Sequence, residues 1–345
     1  MTAKTQFSAH RFCVAPMMDW TDRHCRFFHR QLTRHSLLYS EMVVADAVIL
    51  GDRDRLLGFD AVEHPLALQL GGSDPGKLAK AARIGEQHGF DEINLNVGCP
   101  SDRVQSGIFG ACLMRSPALV GECVGAMKAA VSVPVSVKCR IGVDEQDSGP
   151  ALDRLANAVW QAGADALWVH ARKAWLEGLS PKQNRDVPPL DYHRVRRLKR
   201  ENPNRFIGLN GGLDDLNHAL AEISHDVENL IQPGPALDGA MLGRAAYHTP
   251  HVLRDADRLF YGDMAAPKPW AEIIDAMMQH AARHIAGGGR LAHVTRHMLG
   301  LFHGVPGARR WRQILSSEAP LAGARPQIIA KAFAEVNIDA SQQAA

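Results

Sequence analysis

Eight short apolar segments constrain the fold of this chain most strongly, and most of them end in a polar residue or glycine. They occupy residues 11–17, 37–43, 66–72, 92–99, 133–140, 164–172, 206–212 and 238–244. Amphipathic stretches with helical spacing separate most of them, for example at 74–89, 116–130 and 151–163. Apolar strands that alternate with helices are typical of parallel sheets, and eight such units over roughly 250 residues predict a closed (β/α)8 TIM barrel. An open doubly wound sheet is the alternative, but no G-x-G-x-x-G motif follows an early strand.

The pattern changes after Tyr261. Residues 262–269 are rich in glycine, proline and small residues, which indicates a linker. The segments that follow have helical spacing throughout. We therefore expect an α/β barrel domain over 1–261, an all-α helical bundle over 270–338 and a frayed tail over 339–345.

The composition excludes several classes of protein. Of the 345 residues, 46% are hydrophobic and 22% are charged, as in ordinary globular proteins. The first residues lack the apolar core of a signal peptide, and no apolar run reaches the roughly 18 residues of a membrane span. Six cysteines at irregular spacing, with no C-x-x-C pair, indicate neither a disulfide framework nor a structural zinc site. We expect a cytoplasmic protein without membrane contact and without a metal.

The net charge of +2 is small, but its distribution is uneven. Residues 276–317 contain no aspartate or glutamate, yet they hold six arginines and five histidines. Segments with one sign of charge often face polyanions, so this part of the helical bundle is a candidate nucleic-acid surface. The alternative for any single arginine is a solvated surface charge.

Polar residues stand at nearly every predicted strand end, where a TIM barrel places its active site. The middle strands supply Gln69, Asn94, Asn96, Cys99, Lys138, Arg140, His170 and Arg172. Gly211-Gly212 and Gly243-Arg244 follow the last two strands, where such barrels bind phosphate through backbone N–H groups and a helix N-terminus. A tight turn with a surface arginine is the alternative for each pair alone.

Several of these residues suit a flat, anionic cofactor. Lys138 needs an anionic partner, which is either the N1/C2=O edge of a flavin or a carboxylate across the barrel mouth. Gln69 and Asn94 carry amides suited to the edge of a heterocycle, and residues 16–18 offer a soft apolar surface for a ring. His170 either contacts this cofactor or is a hydrogen-bonded structural histidine.

Cys99 is the one cysteine on a loop at a strand end, within the sequence NVGCP. A nucleophilic thiol usually has a histidine base beside it. A general acid only has to deliver a proton, and a thiol with a pKa of about 8.5 is mostly protonated at neutral pH. The residues alone leave both roles open. The other five cysteines lie in strand or helix patterns and are interpreted as small apolar packing residues: Cys13, Cys25, Cys112, Cys123 and Cys139.

Taken together, these residues resemble the tRNA-dihydrouridine synthase family over nearly the whole chain. The matching motifs are APMMDWTD, LALQLGG, EINLNVGCPSDRVQSGIFGACLM, VPVSVKCRIG, VHARKAWLEGLSPKQNR, NGG and LGRAAY. GLSPKQNRDVPPLDY and TRHMLGLFHGVPGARRWR are similar to the bacterial subfamily that acts on positions 20 and 20a of the tRNA D-loop. One departure is segment 223–239, which is longer than the family's pattern.

The resemblance implies an enzyme that uses FMN and NADPH to reduce a uridine of tRNA. It implies that FMN is held by Pro16, Met17, Met18, Gln69, Lys138, His170, Asn210, Gly211, Gly212, Gly243 and Arg244. To this set the amide argument above adds Asn94. The resemblance further implies that Asn96 contacts the target nucleotide and that Cys99 donates a proton to it.

A target base in the tRNA must be flipped out of its stack to reach a barrel mouth. We expect Arg296, Arg309 and Arg310 of the helical bundle to position phosphates, together with Lys182 and Arg185 after the sixth strand. We also expect the protein to act as a monomer. Two other functions remain open: a flavin TIM-barrel oxidoreductase acting on a free pyrimidine, and a non-catalytic tRNA-binding protein.

Overall fold

The computed structural model describes residues 8–101, 109–224 and 235–338. Eight parallel strands close into a barrel in chain order. They are β1 (Phe12–Val14), β2 (Leu37–Val44), β3 (Leu66–Gly71), β4 (Glu92–Val97), β5 (Val135–Arg140), β6 (Ala166–His170), β7 (Ile207–Asn210) and β8 (Gly239–Leu242). Since β1 pairs with both β2 and β8, the sheet has no free edge. The predicted TIM barrel and all eight of its strands are confirmed.

Helices surround the strands on the outside of the barrel. Among the described residues before 262, the helices are Arg23–Leu32, Ala45–Leu50, Arg53–Leu57, Pro75–His88, Pro117–Ala130, Ser148–Gln161, Tyr192–Glu201, Leu216–Ile223, Arg244–His248 and Ala256–Tyr261. Aspartates start many of them: Asp74 accepts a hydrogen bond from the backbone N–H of Lys77, and Pro75 takes the first helical position. Gly89, with φ of 104°, ends the same helix in the left-handed conformation.

The chain beyond residue 269 is helical, as predicted. Its helices are Trp270–Ala286, Leu291–Thr295, Ala308–Ser317 and Gln327–Phe333. Phe302 packs edge-on against Trp270 and Trp311, with ring centroids 5.1 and 5.0 Å away. The division into a barrel domain, a linker and a bundle stays a prediction, and the tail at 339–345 lies outside the described residues. The same holds for 225–234 of the long segment between β7 and β8.

Two apolar clusters hold the barrel together. The larger one lies between the strands and the helices, and the smaller one fills the barrel interior around Tyr39, Trp168 and Met241. A Cβ atom on Gly208 would lie 2.2 Å from the Trp168 ring, so only glycine leaves room for this indole. Because side chains alternate along a strand, the polar residues of β4 and β5 share the interior face with this cluster. Within the described residues, no helix is long and apolar enough to cross a membrane.

Candidate active site

The strand register brings the predicted polar residues to one end of the barrel. Gln69 pairs with Asn94, and Asn96 pairs with Lys138 on the next strand. Arg140 pairs with His170. Further along, His170 pairs with Asn210. The ends of β3 to β7 therefore form one continuous polar surface, as the carboxyl ends of parallel barrel strands do.

The amides of this surface bind one another. Gln69 Nε2 donates to Asn94 Oδ1 over 2.8 Å, and Asn96 Nδ2 donates to Gln69 Oε1 over 2.8 Å. Asn94 has no exposed surface, and its Nδ2 donates to Ser136 Oγ over 2.7 Å. Both ends of the Asn94 amide are therefore occupied, so the structure gives no support to the predicted contact between Asn94 and a cofactor.

Cys99 lies just beyond β4 on a turn that Asn96 closes. Asn96 Oδ1 accepts hydrogen bonds of 3.0 Å from the backbone N–H groups of Gly98 and Cys99. Arg140 Nε donates to the Gly98 carbonyl over 3.3 Å, which holds the turn from the opposite side. The thiol is half-buried, and its Sγ lies 3.4 Å from Ser101 Oγ. No histidine or carboxylate of the described residues hydrogen-bonds to this Sγ, which favours the acid over the nucleophile.

A cluster of cations surrounds the ends of β5 and β6. Lys138 Nζ donates to Asn210 Oδ1 over 2.9 Å, and burial, followed by the charge of Arg140, lowers the pKa of Lys138 to about 8. Burial and the charges of Arg140, Lys138 and Arg172 hold the pKa of His170 well below its usual value. Throughout the described ranges, Lys138, Arg140 and His170 make no ion pair with a carboxylate. These three side chains thus have no carboxylate partner there, whereas the charge of Asp186 acts on the neighbouring Arg172 and Arg185.

Three buried donors of this cluster have no hydrogen-bond partner among the described residues: His170 Nε2, Arg172 Nε and Arg185 Nε. Buried donors are rarely left unpaired, so each calls for a ligand atom. Gly211 has a φ of 96°, and a Cβ there would lie 2.5 Å from the His170 ring, so the backbone runs past this ring as only glycine allows. The arrangement fits an anionic ligand.

The predicted contacts at the first and last strand ends lie at the rim of this surface. Arg244 begins a short helix after Gly243 and forms an ion pair of 2.7 Å with Asp186, and both side chains are exposed. Met17 approaches the same turn, because its Sδ lies 3.7 Å from the position of a Cβ on Gly243. Pro16 and Met17 are half-buried, and Met18 is 52% exposed. The first and last strand ends therefore present an apolar floor beside the cationic cluster.

The predicted RNA-binding residues differ in their surroundings. Lys182 and Arg309 are exposed, and Arg185 is half-buried. Arg310 is exposed and lies 3.9 Å from Glu335. Arg296 forms an ion pair of 2.6 Å with Asp22 at the start of the first barrel helix. Its guanidinium is thus already paired within the protein, unlike that of Arg309.

Sequence reasoning assigned no role to several polar residues that support the site. Arg140 contacts both the Cys99 turn and the loop after β6. Its Nε donates to the Gly98 carbonyl of the turn, and its Nη1 donates to the Asn184 carbonyl of the loop over 2.9 Å. Inside the barrel, Glu92 accepts hydrogen bonds from Tyr39 and Ser136. The available signal was the spacing of Glu92, Asn94 and Asn96, which places three polar side chains on one face of an otherwise apolar strand.

Comparison with known proteins identifies the family. The profile of the dihydrouridine synthase (Dus) family matches residues 13–337. The chain belongs to the dihydrouridine synthase family. The predicted resemblance is therefore confirmed. The match begins in β1 of the barrel and ends just after the last helix, Gln327–Phe333.

Individual dihydrouridine synthases are similar along almost their whole length. The tRNA-dihydrouridine(20/20a) synthase of Xanthomonas axonopodis pv. citri is 54% identical over 335 residues, which cover 96% of each chain. The protein of that name from Escherichia coli strain K12 is 50% identical over 94% of this chain and 90% of its own. Among solved structures, an old yellow enzyme homologue from Zymomonas mobilis matches with a TM-score of 0.49 and 14% identity, covering 76% of this chain and 91% of that chain.

Proposed function

We propose that this chain is a tRNA-dihydrouridine synthase that reduces the C5–C6 double bond of uridines at positions 20 and 20a of the tRNA D-loop. The relatives that share about half of its residues carry that name. The single observation that carries the proposal is the half-buried thiol of Cys99, held beside a cationic cluster with unpaired buried donors. NADPH is the proposed electron donor, and a monomer in the cytoplasm is the proposed working form.

The cofactor that fits this site is FMN. The phosphate would lie against Gly211, Gly212, Gly243 and Arg244, with His170 Nε2 as a further donor. Lys138 would stand at the edge of the ring, beside Gln69 and Asn210, and Pro16, Met17 and Met18 would line its apolar side. When bound there, FMN supplies hydride transfer to the uracil ring. Gln69 and Asn94 are both almost completely buried and are hydrogen-bonded to each other.

Cys99 then completes the reaction from the protein side. The thiol would deliver its proton to C5 of the uracil, next to the C6 atom to which bound FMN would supply hydride. Asn96 and Arg140 hold the turn that presents the sulfur. The positive side chains around it stabilise the negative charge that develops on the base before the proton arrives.

Binding of the tRNA uses charges on both parts of the chain. Lys182 and Arg185 would contact phosphates near the barrel mouth, and Arg309 and Arg310 would do so from the helical part. Flipping the uridine costs a few kcal/mol, which these contacts offset. Arg296 is paired with Asp22, so it would lie in the interface between the barrel and the helices. We propose that it also lies near the RNA.

The substitution Cys99→Ala tests the role of the thiol. The variant should bind tRNA and FMN and should still accept electrons from NADPH, but reoxidation of its flavin by tRNA should slow by about two to four orders of magnitude. Stopped-flow absorbance of the flavin measures both half-reactions separately. Cys112→Ala is the matched control, because Cys112 is also half-buried and its thiol donates to the Phe109 carbonyl.

Unchanged reoxidation in Cys99→Ala would remove Cys99 from the mechanism. Two simpler outcomes would overturn the proposed function itself. A purified protein with no yellow colour and no flavin would favour a non-catalytic tRNA-binding protein, and reduction of free uridine as fast as tRNA would favour a free-pyrimidine oxidoreductase.

A further inference from the structure

A continuous chain of hydrogen bonds crosses the barrel interior and ends at the Cys99 turn. We call it the polar relay, and its members in order are Glu92, Ser136, Asn94, Gln69 and Asn96. Ser136 Oγ donates to Glu92, and Asn94 Nδ2 donates to Ser136 Oγ over 2.7 Å. The next two links, through Gln69 to Asn96, are both 2.8 Å long. The last link joins Asn96 Oδ1 to the backbone N–H groups of Gly98 and Cys99.

The polar relay is shielded from solvent along its length. Asn94 and Ser136 have no exposed surface, Glu92 and Gln69 are 1% exposed, and Asn96 is 9% exposed. A buried amide that loses one partner keeps the full desolvation cost of the unpaired group, about 1–3 kcal/mol. Each member therefore depends on its neighbours for its orientation.

Glu92 fixes the direction of every bond in the polar relay. Its carboxylate also accepts from Tyr39 OH over 2.7 Å and pairs with His10. Burial raises the pKa of Glu92, but the charge and hydrogen bond of His10 outweigh this effect and lower it, so the group is an anion at neutral pH. An ionised carboxylate can only accept hydrogen bonds, so Ser136 must donate to it.

The remaining directions follow from this first one. Since the Ser136 proton points at Glu92, its oxygen accepts from the Asn94 NH2 group, which turns the Asn94 oxygen toward Gln69. The Gln69 oxygen then faces Asn96, and the Asn96 oxygen faces the backbone of the Cys99 turn. An amide alone has two orientations of equal shape, and only its partners decide between them.

We propose that Glu92 and Ser136 are positioning residues for the catalytic thiol: through the polar relay they keep the Asn96 oxygen directed at the Gly98 and Cys99 amides. The proposal rests on the proposed role of Cys99 as the proton donor. Neither residue touches the reacting atoms, since both lie deeper in the barrel than Asn96. If the amides of the relay reverse, Asn96 presents an NH2 group to two backbone donors and the turn loses its closing hydrogen bonds.

The substitution Ser136→Ala interrupts the polar relay two amides away from the site. Cys139→Ala is the matched control, because Cys139 lies on the same strand, is equally buried and also loses one heavy atom, its sulfur. Hydrogen–deuterium exchange of the Gly98 and Cys99 amides, followed in flavin-free protein, reports on the turn without any reaction. We expect several-fold faster exchange in Ser136→Ala and no change in the control.

The kinetic consequence should fall mainly on one half-reaction. In Ser136→Ala, reoxidation by tRNA should slow by about ten- to a hundredfold, as expected when a reacting group is misplaced by about 1 Å. Flavin reduction by NADPH should slow much less, because Gln69 is the one relay member that we place beside the cofactor. Glu92→Gln is the second variant, because its amide can donate to Ser136 and so lets the relay reverse. It should show the same pattern even if Ser136→Ala folds poorly.

Three results would overturn the proposal. They are unchanged exchange at Gly98 and Cys99 in both relay variants, equal effects in Ser136→Ala and Cys139→Ala, and equal slowing of both half-reactions. Failure of the proposed function is a different result, since the wild-type flavin would then not be reoxidised by tRNA at all.

Discussion

Lys138 shows how a single residue derives its properties from its place in the barrel. It is half-buried on β5, next to Arg140, and it makes its described hydrogen bond to the neutral Asn210. Burial and the neighbouring charge lower its pKa to about 8, so the ammonium is mostly protonated at pH 7 but loses its proton at slightly higher pH. An anionic cofactor at this position would restore the charge.

Lys138 should therefore make FMN binding dependent on pH. Below pH 8 the Lys138 side chain is already protonated, whereas above pH 8 the protein must take up a proton when it binds FMN. The affinity for FMN should therefore fall as the pH rises from 7 to about 9. In Lys138→Met, affinity at pH 7 should be weaker and the fall across this range should disappear. Titration of flavin-free protein by FMN fluorescence measures both, and a parallel fall in the variant would contradict the assignment.

The first barrel helix shows how one element joins the two parts of the chain. Asp22 caps helix Arg23–Leu32 by accepting hydrogen bonds from the N–H groups of His24 and Cys25. The same carboxylate binds Arg296 and the buried His297 beyond the linker. Burial raises the pKa of Asp22, but the hydrogen bond and charge of His297 outweigh this effect and hold it well below its usual range.

Replacing Asp22 by asparagine separates the cap from the ion pairs. Asparagine also caps helices well, so Asp22→Asn should lose mainly the interactions with Arg296 and His297, about 2 kcal/mol in the free energy of unfolding. Because the carboxyl pKa is lowered on folding, this difference should be complete above about pH 4 and should close as the pH falls below it. Denaturant unfolding at pH 7 and pH 3 checks this. An equal difference at both values would refute it.

At the scale of the whole molecule, positive charge without acidic neighbours is concentrated on the helical part. Residues 276–317 lack aspartate and glutamate, yet Arg296 finds its partner in Asp22 of the barrel. Arg309 and Arg310 remain exposed on helix Ala308–Ser317. Tertiary contacts thus pair Arg283 and Arg296 with aspartates of the barrel, whereas Arg309 and Arg310 face solvent, with Glu335 3.9 Å from Arg310.

The exposed pair should account for part of the salt dependence of tRNA binding. Each phosphate contact that is lost should weaken binding and reduce the slope of log K against log [salt] by about one unit. Arg309→Ala combined with Arg310→Ala should therefore lower the slope by about two units. Lys80→Ala removes an exposed charge from helix Pro75–His88 and is the control. An unchanged slope in the double variant would exclude these arginines as phosphate contacts.

Much of the fold could be predicted because it depends on local patterns. Apolar runs separated by amphipathic stretches indicate strands and helices, and eight repeats specify a closed barrel. Asp74, Pro75 and Gly89 mark the ends of one helix by their own conformational preferences. The same reasoning placed Cys99, Lys138 and His170 at the barrel mouth, because the ends of parallel strands share one edge.

By itself, then, the sequence determined the barrel, the helical part that follows it and the set of polar residues at the strand ends. Only the tertiary structure decided what each of these residues binds. It buried Asn94 inside the barrel and paired Arg296 with a distant aspartate. It also linked Glu92 to the Cys99 turn through four other side chains. The physical reason is that hydrogen-bond direction and charge pairing depend on partners from other strands, whereas periodicity and helix capping depend only on neighbours along the chain.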